Sequence, residues 1–489
     1  MRDSLFHVER MEAVTLQSQI REKLVSAILS GLLVPGKPIP STRVMAKRLK
    51  VSRNTVMIAY QELEADGYLE ARERSGFFVT ENLSLSGLVK ADAQIGTPSL
   101  SADDGSSRLL AHPSRQRNIE KPRDWHQYPY PFVYGQIDAA LFPITAWREC
   151  TRQAMNRKWF DEWTHDRFNE DDPMLITQIR QRILPRRGIM AEADEILVTM
   201  GAQNALFLLT QLLIDRNSVA ALEDPGYPDI RNIFNYRTQQ VRAVPVDDEG
   251  LEVGQLGNAG LVYTTPSHQF PTNATMSIAR RQELLSWAED TDALIIEDDY
   301  EFETNYSDSP SPALKSMDGN GRVLYVGSLS KSLMPGLRLG FLVAPSGIIA
   351  EARALRRLIL RHPPGNNQRV AALFLALGHH DALINRLQKT YAERSDSLHS
   401  ALEEFLPGWV RPMGFGGSSV WLRGPVGLNA GKVAALALDE GVVVEPGNIY
   451  FADPEKGKCH MRLGFSSIPN ERIRPGIERL ASVIHGLGF

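Results

Sequence analysis

The sequence has 489 residues, too long for one ordinary core, so two or three domains are expected. Hydrophobic residues make up 43% and charged residues 23%, an ordinary globular balance, and the net charge of -4 does not mark the whole chain as a nucleic-acid binder. Two distant cysteines, Cys150 and Cys459, exclude a disulfide framework and a cysteine-rich zinc site, so no metal site is expected.

The N-terminal MRDSLFHVERME lacks the apolar segment of a signal peptide. No stretch approaches the ~20 apolar residues of a membrane span. A soluble cytoplasmic protein with no membrane partner is expected. Its charge is unevenly spread. Residues 1–80 hold 12 Lys and Arg against 9 Asp and Glu, a balance of +3, which leaves -7 for the rest. Lys37, Arg43, Lys47, Arg48, Lys50 and Arg53 fall within 37–60 with no acid among them. A basic N-terminal module joined to an acidic body is implied.

In chain order, Leu16, Ile20, Leu24, Ile28 and Leu32 recur every fourth residue and predict an amphipathic helix, with Gly31 as its stop signal. Ser41 and Thr42 open a second helix carrying Val44, Met45 and Leu49. Ser52 caps a third, which ends at Gly67. YLEARERSGFFVT then alternates and turns at Ser75–Gly76, as a small hairpin would. Three short helices and a hairpin make a winged helix-turn-helix, whose third helix presents its first residues to base edges in the major groove. Arg53, Asn54 and Thr55 begin that helix, Arg43 begins the second, and Arg74 and Gly76 mark the wing tip. The acid-free basic window favours DNA binding over a merely solvated basic face. The stretch PGKPIPSTRVMAKRLKVSRNTVMIAYQELEADGYLEARERSGFFV resembles the GntR family of bacterial regulators. That resemblance implies that Arg43, Ser52, Arg53, Thr55 and Gly76 contact a double-stranded DNA operator.

Residues 81–124 are rich in Ser, Gly, Asp and Pro and sustain no period, so a flexible linker is expected over 81–128. The expected division is a DNA-binding domain at 1–80, that linker, and a body at 129–489. In the body strands and helices alternate. EILVTMG, SVAALEDPGY, QQVRAVPVD, GLVYTTP and ALIIEDDY read as strands, and AQNALFLLTQLLI and SIARRQELLSWAED as helices. Long helices fill 346–406. This order predicts an α/β domain with a mostly parallel sheet. Ligands bind such sheets at the carboxyl ends of their strands. Polar punctuation falls at those ends: Gly201-Ala202-Gln203, Asp224 to Tyr227, His268-Gln269, Asp298-Asp299-Tyr300 and Ser328 to Lys331.

Lys331 stands between two apolar strand-like runs, where a lysine needs a reason. A desolvated lysine has a lowered pKa and attacks carbonyls as a free amine. A pyridoxal phosphate site needs such a lysine, an acid for the pyridine nitrogen and an anion site for the phosphate. The helix opened by Gly201-Ala202-Gln203 offers free N–H groups to a phosphate. Ser328 and Arg338 stand where they can reach the same group, and Tyr227 where it can stack on a ring.

EDPGYP, TPSHQFPT, IIEDDYE and SLSKSLMPGLRLGF, in this order, resemble fold-type I aminotransferases. More narrowly, the chain resembles MocR-type regulators, which fuse a GntR head to that domain. The resemblance implies pyridoxal 5'-phosphate held on Lys331 as a Schiff base. It implies Asp298 on the pyridine nitrogen, Tyr300 on the ring hydroxyl and Tyr227 stacked on the ring. Ser328, Arg338 and the backbone at Ala202 and Gln203 would hold the phosphate, and Arg462 would clamp the carboxylate of an amino-acid ligand. The run Glu297-Asp298-Asp299 leaves the acid ambiguous by one residue, with Asp298 the first choice.

Three positions depart from the aminotransferase pattern. Phe270 stands where an asparagine usually touches the ring hydroxyl, leaving His268 or Gln269 to serve. Phe168 stands for a tyrosine that often reaches a partner subunit's phosphate. Asp229 stands where some GABA-sensing regulators carry an arginine, which argues against a two-arginine clamp.

The expected function is a regulator that senses an amine or amino acid by external aldimine formation. Such a chain is a sensor rather than an enzyme, although slow transamination is compatible with its parts. The alternative is a working aminotransferase with an accessory DNA module, with Lys331 as its acid and base. A head-to-tail homodimer is also implied by the resemblance.

Overall fold

The computed structural model describes residues 15–81, 106–304, 311–410 and 416–489. The chain divides into two compact units, 1–112 and 113–489. Most of the Ser/Gly/Asp-rich stretch, residues 82–105, lies outside the described residues.

The head consists of α1 (Leu16–Leu29), α2 (Thr42–Leu49), α3 (Arg53–Ala65) and a hairpin of β1 (Leu69–Arg72) and β2 (Gly76–Val79). Ser41 caps α2 and Ser52 caps α3, each accepting from the backbone N–H three residues on. Ile20, Leu24, Ile28, Met45, Leu49, Val56, Tyr60 and Leu63 close the core against Leu69 and Val79. Leu32 departs from its expected place on the α1 face. Gly31 takes a left-handed φ of +74°, the helix has already ended, and Leu32 is 58% exposed while Leu33 turns inward. Val44 is also exposed, so α2 packs through Thr42, Met45, Ala46 and Leu49. The hairpin turns through Arg74 (φ +60°) and Gly76 (φ +96°).

In the body, among the described residues, eight strands form one sheet. They are β4 (Ile196–Thr199), β5 (Ala220–Asp224), β6 (Val241–Asp247), β7 (Gly250–Leu251), β8 (Leu261–Thr264), β9 (Leu294–Asp299), β10 (Val323–Ser328) and β11 (Gly340–Val343), preceded in the chain by the short β3 (Tyr130–Pro131). Their order is β4-β11-β10-β9-β8-β5-β6-β7. The four central pairings are parallel, and β11 and β7 run antiparallel to their neighbours. Both faces are covered, as a parallel sheet requires. Val198, Tyr325 and Phe341 point into one core, and Leu197, Leu324, Val326 and Leu342 into another that includes the helix Ala202–Leu213. Beyond the long helix His379–Phe405 come β12 (Ser419–Arg423), β13 (Val442–Val443), β14 (Glu445–Pro446) and β15 (His460–Gly464). In these, β12, β15 and β14 make a small antiparallel sheet, and β13 pairs with β3.

The expected flexible linker does not run to 128. From Pro113 the chain belongs to the body. It forms short helical turns at Pro113–Arg115 and Trp125–Gln127 and is held by side-chain hydrogen bonds to backbone carbonyls, which leave no period in the sequence. No described helix is long and apolar enough to cross a membrane.

Candidate functional site

The carboxyl ends of β4, β5, β8, β9 and β10 meet at a cavity of about 310 Å³. Ala202, Gln203, Tyr227, Asp298, Tyr300, Ser328, Lys331 and Arg338 all line it. Arg462 does not.

The acidic run on β9 separates by strand alternation, since successive side chains face opposite sides. Glu297 turns away and accepts the N–H groups of Leu314 and Lys315, both at 2.7 Å. Asp299 also turns away, into a buried ion pair with Arg187 (2.7 Å) and a hydrogen bond from the Tyr325 hydroxyl (2.9 Å). Asp298 faces the cavity. Its Oδ2 accepts from the Tyr263 hydroxyl (2.9 Å), while Oδ1 is buried with no hydrogen-bond partner. Burial pushes the Asp298 carboxyl up to about 7, against the Tyr263 hydrogen bond.

Elsewhere on the wall a helix N-terminus and a guanidinium come together. Gly201 (φ +83°) lets β4 turn sharply into the helix Ala202–Leu213, whose first residues line the cavity. Arg338, itself left-handed at φ +52°, donates to the Met200 carbonyl at 2.8 Å. A Cβ at position 201 would lie 2.9 Å from the Arg338 guanidinium, so only glycine fits there without displacing it. Ser328 ends β10 and accepts from the Ser330 N–H at 3.2 Å.

The Lys331 ammonium lies 3.9 Å from the centre of the Tyr134 ring. A Cβ on Gly135 would approach it to 2.9 Å. Burial lowers the lysine to about 8, with the Glu301 charge opposing and the Arg462 charge adding to the shift. Arg462 is fully buried behind the cavity wall. Its guanidinium carbon sits 3.4 Å from the Tyr134 ring centre and 4.0 Å from that of Phe270. Nε donates to Ser419 Oγ at 2.9 Å, and both terminal nitrogens lack hydrogen-bond partners. The expected clamp is therefore one aromatic layer removed from the cavity.

The departures also have places. Neither His268 nor Gln269 lines the cavity, so neither stands in for the missing asparagine; Phe270 fills that part of the wall. Gln269 is consumed by the turn, its amide donating to Glu223, to the Pro225 carbonyl (2.8 Å) and to the Phe270 carbonyl (2.7 Å). His268 is buried with neither ring nitrogen hydrogen-bonded, and burial lowers its pKa. Phe168 carries the guanidinium groups of Arg357 and Arg361 over its ring. Asp229 accepts from the Tyr227 hydroxyl at 2.9 Å and so fixes the ring that the cavity exposes.

Sequence reasoning missed Tyr134, Tyr263, Glu445, Ile119 and Lys121, which also line the cavity. Tyr263 carried a usable signal: it pairs with Ile296 on the neighbouring parallel strand, two residues before Asp298.

On the head, Arg43, Ser52, Arg53 and Gly76 are exposed and Thr55 is half-buried. Ser52 and Thr55 satisfy each other, with Oγ atoms 2.7 Å apart and the Thr55 N–H donating to Ser52 Oγ at 3.0 Å. Arg53 Nε approaches Thr42 Oγ1 at 3.4 Å, which orients it over the α2–α3 corner.

A winged helix-turn-helix head and a mostly parallel sheet with a lysine turn at its carboxyl edge define a DNA-binding regulator built on an aminotransferase-like body. Residues 16–79 match the family "Bacterial regulatory proteins, gntR family", and 145–480 match "Aminotransferase class I and II". The HTH-type transcriptional regulator TauR of Rhodobacter capsulatus is 45% identical over 476 residues, covering 96% of each chain. The probable rhizopine catabolism regulatory protein MocR of Rhizobium meliloti is 29% identical over 98% of this chain and 96% of that protein. Among solved structures, kynurenine aminotransferase from Pyrococcus horikoshii superposes with a TM-score of 0.71 at 28% identity, covering 78% of this chain and 98% of that one. The chain belongs to the MocR-type regulators of the GntR family: it is a transcriptional regulator with a GntR-type DNA-binding head and a fold-type I aminotransferase body.

Proposed function

We propose that this regulator binds pyridoxal 5'-phosphate in the cavity of its body, on Lys331, and uses it to recognise an amine or amino acid whose binding changes the affinity of the head for its operator. The observation that carries the proposal is a half-buried lysine and a buried carboxylate oxygen without a partner sharing one cavity, with an arginine and a helix N-terminus at the same strand ends.

The residues present fit the cofactor. Asp298 Oδ1 would take the pyridine nitrogen, and the free Tyr300 hydroxyl the ring hydroxyl. Tyr227, held by Asp229, would stack on the ring. Ser328, Arg338 and the first N–H groups of the helix Ala202–Leu213 would hold the phosphate. When bound, pyridoxal phosphate supplies an aldehyde that condenses reversibly with primary amines. Lys331 and an amine ligand compete for that aldehyde. Arg462 lies behind Tyr134 and Phe270 and outside the cavity, so the ligand's second anchor is sought elsewhere on the wall.

The competition changes operator affinity only insofar as the ligand contacts differ between two conformations. The head would use Arg43 and Arg53 on phosphate and base edges, with Ser52, Thr55 and Gly76 beside them. A head-to-tail homodimer suits paired half-sites, and exposed Leu358 and Ile359 supply apolar surface for a second copy. A sedimentation mass of one chain would remove the dimer from the account.

The test is the visible spectrum of the purified protein with added cofactor. A protein-bound band is expected, absent in Lys331→Ala and shifted by one class of amines. No band in the wild type would overturn the reading. A working aminotransferase is the second reading, favoured by the Lys331 amine near pH 8, which can accept and return a proton. Sustained turnover of an amino acid with a 2-oxo acid would select it.

A further inference from the structure

Residues 116–121 run along the cavity wall, to which Ile119 and Lys121 contribute, as a strap tied on both sides. Gln116 donates to the Asn232 carbonyl (3.1 Å), and Asn232 Nδ2 donates back to the Arg117 carbonyl (2.9 Å) and to Asn118 Oδ1 (3.0 Å). Those bonds anchor the strap to the helix Pro228–Asn235, which begins just after Tyr227. On the other side Arg117 donates to the carbonyls of Phe451 (3.1 Å) and Ala452 (2.9 Å). Arg231, from the same helix as Asn232, holds the carbonyls of Ile449 and Phe451, both at 2.9 Å. Strap, helix and the loop carrying Tyr450 thus share one set of bonds. Within it, Ile119 packs against the aromatic cluster around Phe270 and Tyr450, and both Ile119 and Lys121 line the cavity.

Lys331, Arg338 and Lys121 are the cations among the described residues lining the cavity. The cofactor occupies the first two in the function proposed above, on which this inference rests. Arg462 is sealed behind Tyr134 and Phe270. Lys121 remains, with its amine 5.8 Å from the Trp125 ring centre and no ion pair among the described residues. Lys121 is exposed to solvent on the cavity wall, where its protein neighbours lower its pKa and the Glu445 charge opposes the shift.

We propose that Lys121 receives the anionic group of the effector and Ile119 packs on its carbon chain, so that the segment leading to the DNA-reading head touches the effector directly. Every covalent path from head to body enters through this strap. The effector is then an amine that also bears an anion, and it tightens the strap as it binds.

The test uses the full chain loaded with pyridoxal phosphate. Glycine, β-alanine and 4-aminobutyrate are titrated against their uncharged-tail counterparts ethylamine, propylamine and butylamine, reading the visible band in wild type and Lys121→Gln. Deuterium uptake at the backbone amides of 116–121 is followed alongside. Lys121→Gln should raise the half-saturation concentration of the best amino acid about fivefold, the effect of losing a partly exposed charge contact, and leave its matched amine within about twofold. Deuterium uptake at the strap should slow with that amino acid in the wild type. A spectral shift with unchanged half-saturation in Lys121→Gln and unchanged uptake would overturn the strap contact and leave the cavity assignment standing. If the wild type shows no protein-bound band at all, the cavity assignment fails and the strap contact falls with it; a band that none of the three amino acids shifts overturns the strap contact alone.

Discussion

Lys331 and Asp298 are poised by the same force, the loss of water, acting on opposite charge types. For the lysine, burial favours the neutral amine and lowers its pKa to about 8. The rate at which cofactor-free protein captures pyridoxal phosphate should therefore climb about tenfold per pH unit below about pH 8 and then flatten. Stopped-flow absorbance measures it; a rate still climbing at pH 10 would mean an ordinary, solvated lysine. For Asp298, burial favours the neutral acid and raises the folded pKa to about 7. The cofactor-free fold then holds that proton more tightly than the unfolded chain, and this contribution to stability is lost as pH rises towards and through 7. Asp298→Asn should stabilise the cofactor-free protein at pH 8 by on the order of 1–2 kcal/mol and weaken cofactor binding at least about tenfold. A lower melting temperature with unchanged cofactor affinity would contradict this. Residue types and spacing picked out Lys331 and the polar run at the end of β9, because such groups are conspicuous among apolar neighbours. The resemblance to aminotransferases made Asp298 the first choice within the ambiguous run Glu297-Asp298-Asp299. Tyr134 and Glu445 were not legible, since only folding brings β14 and the segment after β3 to the same rim.

At the scale of elements, β9 shows how one strand supplies both a site and its support. Asp298 faces the cavity, and Asp299, on the other side, binds Arg187, which also donates to Ser267 Oγ (2.7 Å) and the Ser311 carbonyl (2.9 Å). Arg187→Ala leaves a buried carboxylate unpaired and should cost about 3–5 kcal/mol in the unfolding of the body, read by denaturant titration. A loss under about 1 kcal/mol would mean that water or a neighbour compensates the charge. On the head, Ser52→Ala removes the α3 cap and should cost about 1 kcal/mol, so a DNA-binding defect in that variant has to be corrected for the helix it weakens. The strands β4, β5, β6, β8 and β9 and the helices Ala202–Leu213 and Ile278–Asp290 were legible in the sequence, whereas the helices Ile144–Ala154 and Asn470–Gly486 and the strands β12 to β14 were not read from it. The strap at 116–121 was not, because side chains bonded to carbonyls hold it and impose no period on the sequence. The stop at Gly31 was legible, but Leu32 was wrongly counted on the α1 face, because a glycine stop outranks a continuing apolar repeat.

For the whole molecule, the basic and acidic halves of the sequence correspond to two units of different chemistry. Lysine and arginine cluster around α2 and α3, while the buried acids and the lysine site lie in the body. Arg43→Ala and Arg53→Ala should each weaken DNA binding and reduce its dependence on salt concentration by about one counterion. The central claim, that one chain reads an amine through Lys331 and reports it through the head, is tested most directly by selecting genomic DNA fragments on the cofactor-loaded protein and measuring their retention with and without each amine. Wild type should change its retention of a selected fragment in response to one class of amine. Lys331→Ala should retain the fragment and ignore the amine. An unchanged response in Lys331→Ala would contradict the account.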